Sequence, residues 1–256
     1  GGDPTLGNYR LPEFILPAGL TFDRIEQRRL LQDHLDQLAR SVDQSSTVAA
    51  LDEARKKAYE LIAGPKAREA FDLTREPAEL RDRYGKHFWG QSALLARRLV
   101  EAGVTFVTIN LYEKDVDWWD DHTTIEKNLR KRLPNFDQSL ATLIEDLQQR
   151  GLAERVLVGA FGEFGRAPRV DAAAGRGHWP RAMSALLSGG GLRNGQIVGA
   201  TTADGGEPSD RALRPADLLA TIYHMLGIDH EQFLRDQQGR PVRVLDGGEP
   251  IRELVS

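Results

Sequence analysis

Residues 155–166 read Arg-Val-Leu-Val-Gly-Ala-Phe-Gly-Glu-Phe-Gly-Arg, an apolar run that passes directly into a short segment rich in glycine and charge. The apolar part, residues 155–161, has the length and composition of a buried strand. Glu163 and Arg166 follow its end, where open α/β sheets place their ligand sites. We therefore expect a carboxylate and a guanidinium at the rim of a sheet.

Strand-like and helix-like segments alternate around this stretch. Alternation of this kind predicts an α/β fold with a mostly parallel sheet flanked by helices. The predicted strands are residues 104–109, 155–161, 183–187 and 196–200, and the predicted helices are residues 87–103, 124–150 and 215–226.

The first part of the chain has a different pattern. Residues up to about 20 are rich in proline and glycine, which favours an extended surface segment. Amphipathic patterns near residues 23–38, 48–62 and 66–73 then predict a helical subregion. We predict two parts, an extended and helical region over residues 1–86 and an α/β core over residues 87–256.

Composition excludes several classes of protein. The chain has 256 residues and a formal net charge of -4, so no basic surface argues for nucleic-acid binding. It contains no cysteine, which excludes disulfides, iron–sulfur clusters, thiolate zinc sites and a cysteine nucleophile. No apolar run approaches the roughly 20 residues of a transmembrane helix. The first residues, Gly1-Gly2-Asp3-Pro4, lack an initiating Met and a signal peptide, so we expect a processed product or a fragment.

Two clusters of carboxylate and imidazole follow strand-like segments. Asp120 and His122 are separated by one residue, so an extended backbone would point both side chains to the same side. Such groups suit a hard or borderline divalent cation. The alternative is a pair of exposed polar residues in a loop.

The second cluster contains Glu163, Arg166 and His178. The guanidinium of Arg166 suits an oxyanion such as phosphate, sulfate or carboxylate. The alternatives are a Glu163–Arg166 ion pair that closes a turn and a structural role for His178. The sequence has neither the Gly-x-Ser-x-Gly motif of serine hydrolases nor a Gly-x-Gly-x-x-Gly dinucleotide motif.

Taken in order, several segments resemble the DUF1501 family, a group of uncharacterised bacterial proteins placed in the alkaline phosphatase-like or sulfatase-like superfamily. The resemblance covers nearly the whole chain. It is carried by residues 16–20, 67–73, 83–85, 91–99, 119–122, 162–166, 177–180 and 217–223.

The resemblance implies a sheet of the alkaline phosphatase type with metal ligands at the carboxyl ends of its strands. It suggests metal-dependent hydrolysis of phosphate or sulfate esters, small or polymeric, in an exported or periplasmic protein. Asp120, His122, Glu163 and His178 fall on polar positions of the family's motifs. We expect them to bind Zn²⁺, Mn²⁺ or Ca²⁺, and we expect Arg166 to steady the oxyanion.

The chain also departs from the family's pattern. Gly177 stands where the family usually has Asp, and Ala167 stands where it usually has Thr. The family's opening strand, with its Gly-Gly-x-Ser-His-type loop, has no counterpart, and no nucleophile is found. The chain therefore resembles the C-terminal part of such a domain, and we expect a missing N-terminal segment or a partner chain. The alternative function is a non-catalytic member that binds a ligand or another protein.

Overall fold

The computed structural model describes residues 3–5, 21, 24, 27, 30, 69–111 and 119–255. The predicted extended segment and the predicted helices at residues 23–38 and 48–62 lie largely outside these residues. The boundary between residues 86 and 87 stays a prediction. The described residues within Gly1–Tyr112 and Asn135–Leu140 form one compact unit, and those within Glu113–Pro134 and Ala141–Ser256 form the other.

The described residues of the first unit include two short-range helical elements that follow one another in the chain. Helix α1 spans Ala78–Tyr84 and helix α2 spans Phe88–Glu101. The side chain of His87 caps α2, because its Nδ1 atom accepts a hydrogen bond from the Gly90 amide at 3.2 Å. The predicted helix over residues 87–103 is therefore confirmed. The buried apolar side chains of this unit include Leu73, Tyr84, Trp89 and Leu94.

A long helix, α3, spans Ile125–Gln149 and contains Pro134. A proline inside a helix removes one backbone hydrogen bond and disfavours the helical conformation. The helix nevertheless continues through this position. In the second unit, Leu143 and Leu147 on α3 are buried, as are Leu192, Ala220 and Ile251.

Helix α4, which spans Pro215–Met225, confirms the prediction for residues 215–226. Proline at the first helical position costs no hydrogen bond, since that amide has no partner inside the helix. Thr221 lies fully buried on α4. Its hydroxyl donates to the Asp217 carbonyl at 2.7 Å and accepts from the Ile251 amide at 2.9 Å. No described helix combines the length and the apolar character that crossing a bilayer requires.

The strands in the described part of the chain are short, and each pairs with one antiparallel partner. Strand β1 (Leu157–Ala160) pairs with β4 (Leu186–Gly189), and β2 (Gly165–Arg166) pairs with β3 (His178–Trp179). Two further pairs are also antiparallel. They are β5 (Ala200–Thr201) with β6 (Pro208–Asp210), and β7 (Phe233–Arg235) with β8 (Pro241–Arg243).

The prediction of a mostly parallel sheet of the alkaline phosphatase type, flanked by helices, is therefore wrong. A parallel pair needs a crossover connection, usually a helix. Residues 161–185, which connect β1 to β4, hold the β2–β3 hairpin instead, and the two strands run in opposite directions.

The predicted strand at residues 104–109 is also absent. These residues have no regular secondary structure, and Phe106 is 64% exposed. β-branched residues favour a strand, but this preference is not sufficient by itself. A strand also needs a neighbouring strand that accepts and donates hydrogen bonds to its backbone.

Candidate metal centre

Three ligand atoms meet on the surface of the second unit. The Asp120 Oδ1 atom lies 2.8 Å from His178 Nε2 and 3.1 Å from His122 Nε2. The two imidazole Nε2 atoms lie 3.2 Å apart. Each of the three side chains is about half exposed, at 58%, 51% and 48% for Asp120, His122 and His178.

A tight turn presents the first two of these residues. The His122 amide donates to the Asp120 carbonyl at 3.0 Å, which is the hydrogen bond of a γ-turn. Asp121 at its centre is only 2% exposed. The turn therefore buries the middle side chain and directs the outer two toward a common point.

The β2–β3 hairpin supplies the third residue. His178 on β3 is the register partner of Arg166 on β2. The Arg166 Nη2 atom donates to Asp120 Oδ1 at 2.7 Å, and its Nη1 atom donates to the Arg176 carbonyl at 3.3 Å. The ring of Phe164 also packs against His178, with the ring centroids 4.4 Å apart. Arg166 thus links the hairpin to the turn through the same oxygen atom that contacts both histidines.

Backbone packing brings the turn and the hairpin loop together. A Cβ atom at Gly175 would lie 1.9 Å from the His122 carbonyl oxygen and 2.6 Å from the Thr123 amide nitrogen. Only glycine permits this approach.

The carbonyls of Ala173 and Ala174 also accept hydrogen bonds from the Thr124 and Ile125 amides, at 3.2 and 2.9 Å. The loop thereby satisfies the first amide of α3, where Thr124 makes no side-chain cap.

No protonation state of the two imidazoles satisfies all three short contacts. If both Nε2 atoms carry a proton, both donate to Asp120, but two donors then face each other at 3.2 Å. If one Nε2 atom is an acceptor, its lone pair faces the carboxylate oxygen. A cation between the three atoms removes this conflict, since all three would then donate lone pairs to it.

The charge state of Asp120 suits this arrangement. Side-chain hydrogen bonds with His178 and with Arg166, supported by the charge of the Arg166 guanidinium, lower the pKa of Asp120 to about 2. The side chain is therefore an ionised carboxylate near neutral pH, and an ionised carboxylate is the form that binds metal.

The dimensions of the cluster also fit a metal ion. Ligand bonds of about 2.1 Å place neighbouring ligands of a six-coordinate ion about 3 Å apart. The observed contacts of 2.8, 3.1 and 3.2 Å match that spacing. Asp120, His122 and His178 therefore form a possible metal-binding group.

Glu163, the fourth predicted ligand, is exposed in the loop between β1 and β2. It does not belong to the group of side chains whose ligand atoms all lie within 4.8 Å of one another. Its role as a ligand stays a prediction, as does the contact of Arg166 with a substrate oxyanion.

Sequence reasoning missed the residues that support the site. The Asp121 carboxylate accepts a hydrogen bond from Asn128 Nδ2 at 2.8 Å and forms a buried ion pair with Arg132. Asn128 and Arg132 are four residues apart on α3, and this spacing, which places them on one helix face, is the signal that could have revealed them. The contact of Gly175 with the His122 backbone has no comparable signal.

The geometry defines a protein with a surface cluster of two histidines and one aspartate suited to a divalent cation. The chain belongs to the DUF1501 family, described as proteins of unknown function, whose family model matches residues 3–255. Comparison with the curated proteins and with the solved structures finds no match.

Proposed function

We propose that this protein binds a divalent metal ion through Asp120, His122 and His178 and uses it to hydrolyse phosphate or sulfate esters. The observation that carries the proposal is the convergence of these three side chains in contacts that no imidazole protonation state satisfies. In such a site the ion would polarise an ester oxygen and lower the pKa of bound water.

The donor set favours some ions over others. Two imidazole nitrogens and one carboxylate suit Zn²⁺ or Mn²⁺, whereas Ca²⁺ prefers oxygen ligands throughout. Of the three expected ions, Zn²⁺ and Mn²⁺ are therefore proposed ahead of Ca²⁺. Glu163 is proposed as a further ligand on the family resemblance and on its position after β1. An exported or periplasmic location is proposed on the same resemblance.

Arg166 has two proposed roles. Its hydrogen bond to Asp120 holds the carboxylate in place, as partners outside the ligand shell commonly do. The hydrogen bonds to Asp120 and Arg176 use two of the five N–H donors of the guanidinium. The other donors make no hydrogen bond to the described residues, and we propose that they bind an ester oxyanion at the same ion.

A second candidate function is metal binding without catalysis. The three ligands are about half exposed, and none of them lines the cavity beside Arg211 and Asp217 or the cavity beside Trp179 and Glu207. Small-molecule sites normally enclose most of their ligand. An open ion site favours binding of a ligand or a protein partner over turnover of a small ester.

Metal analysis combined with an ester screen separates the two functions. The purified protein is titrated with Zn²⁺, Mn²⁺ and Ca²⁺ by calorimetry, and p-nitrophenyl phosphate and p-nitrophenyl sulfate are then offered to it. His178→Ala is expected to abolish stoichiometric binding, while the matched control His224→Ala, an exposed histidine on α4, retains it.

Each result has a defined meaning. Ester hydrolysis that a chelator abolishes and that Glu163→Gln lowers supports the hydrolase. Stoichiometric metal without turnover supports the binding protein. A wild-type chain that binds none of the three ions contradicts both.

A further inference from the structure

Asp121 lies between two exposed ligand residues but is itself buried. Its carboxylate accepts a hydrogen bond from Asn128 Nδ2 at 2.8 Å and is ion-paired with Arg132, which is 5% exposed. The Asp121 carbonyl accepts a hydrogen bond from the Arg176 amide at 2.9 Å. This one residue therefore contacts both α3 and the loop that leads into β3.

Helix α3 holds the turn at two places. Asn128 Nδ2 contacts the Asp121 carboxylate and also donates to the Thr123 carbonyl at 3.3 Å. Arg132 lies one helical turn further along and also stacks over the ring of Trp119, with 5.3 Å between its Cζ atom and the ring centroid. The segment from Trp119 to Thr123 is thus bound to one face of α3.

A buried ion pair contributes little net free energy to folding. Removing two charges from water costs free energy, and apolar replacements of the same pair are often neutral or stabilising. The Asp121–Arg132 pair offers something that an apolar pair does not, namely a directional contact that fixes the orientation of the turn. With the Asp121 side chain held inward, Asp120 and His122 lie on the exposed side of the turn.

We propose that Asp121 is a positioning residue, which, with Asn128 and Arg132, holds Asp120 and His122 against His178. The proposal rests on the metal-binding function proposed above. Partners outside the ligand shell typically change metal affinity by about 10- to 100-fold when they are removed. We expect a change of that size here.

Two variants test the proposal without leaving a buried charge unpaired. Asn128→Ala removes the hydrogen bonds to the turn, and the double variant Asp121→Leu with Arg132→Met replaces both charges together. The matched control is Arg130→Ala on the same helix. Arg130 pairs only with Glu126 among the described residues, and both side chains are more than three-quarters exposed.

The first measurement is the Zn²⁺ dissociation constant by calorimetry, with circular dichroism to confirm that each variant is folded. Asn128→Ala and the double variant are expected to raise the dissociation constant about tenfold or more, and Arg130→Ala is expected to leave it unchanged. A folded Asn128→Ala protein and a folded double variant with wild-type affinity would overturn the proposal.

The second measurement needs no metal. Ring-nitrogen NMR signals of His122 and His178 report their mutual contact, and the signals of His224 serve as an internal reference. The ring-nitrogen signals of both cluster histidines are expected to change position in Asn128→Ala and to remain unchanged in Arg130→Ala. If the wild-type protein binds no ion, the metal function fails, and this measurement alone decides the positioning role. Unchanged ring signals in both test variants would show that Asp121 stabilises the turn without placing the ligands.

Discussion

Arg166 and His178 are register partners on the β2–β3 hairpin, and both contact the same oxygen of Asp120, at 2.7 and 2.8 Å. One hairpin thereby places the Arg166 guanidinium and the His178 imidazole against a single carboxylate. The strand register sets this geometry, because cross-strand partners have their side chains on the same face.

Metal addition is expected to stabilise the protein against heat. A ligand that binds only the folded state adds about 2.7 kcal/mol at a concentration 100 times its dissociation constant. We expect Zn²⁺ or Mn²⁺ to raise the melting temperature by several degrees, as measured by scanning fluorimetry. The increase should vanish in His122→Ala and persist in His224→Ala. An equal increase in both variants would place the ion elsewhere.

Gly175→Ala is expected to damage the site, while Gly177→Ala leaves it intact. A Cβ atom at Gly175 collides with the backbone of His122 and Thr123, whereas one at Gly177 has no described atom within 4 Å. Overpacking of this kind costs about 1–3 kcal/mol. Urea denaturation and Zn²⁺ titration should both show a loss for the first variant only. Equal behaviour of the two variants would contradict the close contact between loop and turn.

Glu76 is expected to make the first unit sensitive to acid. Its carboxylate contacts Arg97 Nη2 at 2.9 Å and also pairs with Arg98. Burial raises the pKa of Glu76, but hydrogen bonds and charges of the two arginines outweigh burial and leave the pKa below 4.5. Because the folded pKa lies below the unfolded one, the stabilisation is present above the unfolded pKa. It is lost as the pH falls through the folded pKa.

Glu76→Gln tests this acid sensitivity. The variant should lose roughly 3 kcal/mol at neutral pH, since it breaks a buried pair. The difference from wild type in the free energy of unfolding should shrink below about pH 4.5. Glu126→Gln, in an exposed pair with Arg130, is the control and should change stability little at either pH. A difference that is constant from pH 7 to pH 3 would argue against the pair.

Thr221→Val is expected to destabilise the second unit, while Thr221→Ser is tolerated better. Valine has the same shape but removes the hydroxyl that accepts from the buried Ile251 amide at 2.9 Å. An unsatisfied buried donor costs about 1–3 kcal/mol, whereas serine keeps the hydroxyl and loses only a methyl group. Denaturation curves of the two variants measure the difference. A valine variant at least as stable as the serine variant would refute the role of this hydrogen bond.

The sequence predicted the helices better than the strands. Helices α2 and α4 are local structures, and Pro215 and Gly227 mark the ends of α4. Strand β1 was also placed correctly, but its antiparallel partner β4 could not be inferred from composition. Pairing depends on the connection between strands, and the segment at residues 161–185 gave no sign that it forms a hairpin.

The site was partly accessible to sequence reasoning. Asp120, His122 and His178 were selected by residue type and by resemblance, and the structure brings their ligand atoms together. Asp121 was not selected, because the sequence does not show which of two adjacent aspartates is buried. Only the contact with α3 distinguishes them. The role of Gly175 was hidden as well, since it depends on a backbone contact with residues more than fifty positions earlier.

His122 and His178 are 56 positions apart in the chain. An ion held between them would close that loop in a protein that has no cysteine for a covalent link. Clips that close long loops restrict the unfolded chain more than short ones do. Such an ion would therefore work as a detachable crosslink, and the resistance of residues 123–177 to proteases would rise and fall with the metal supply.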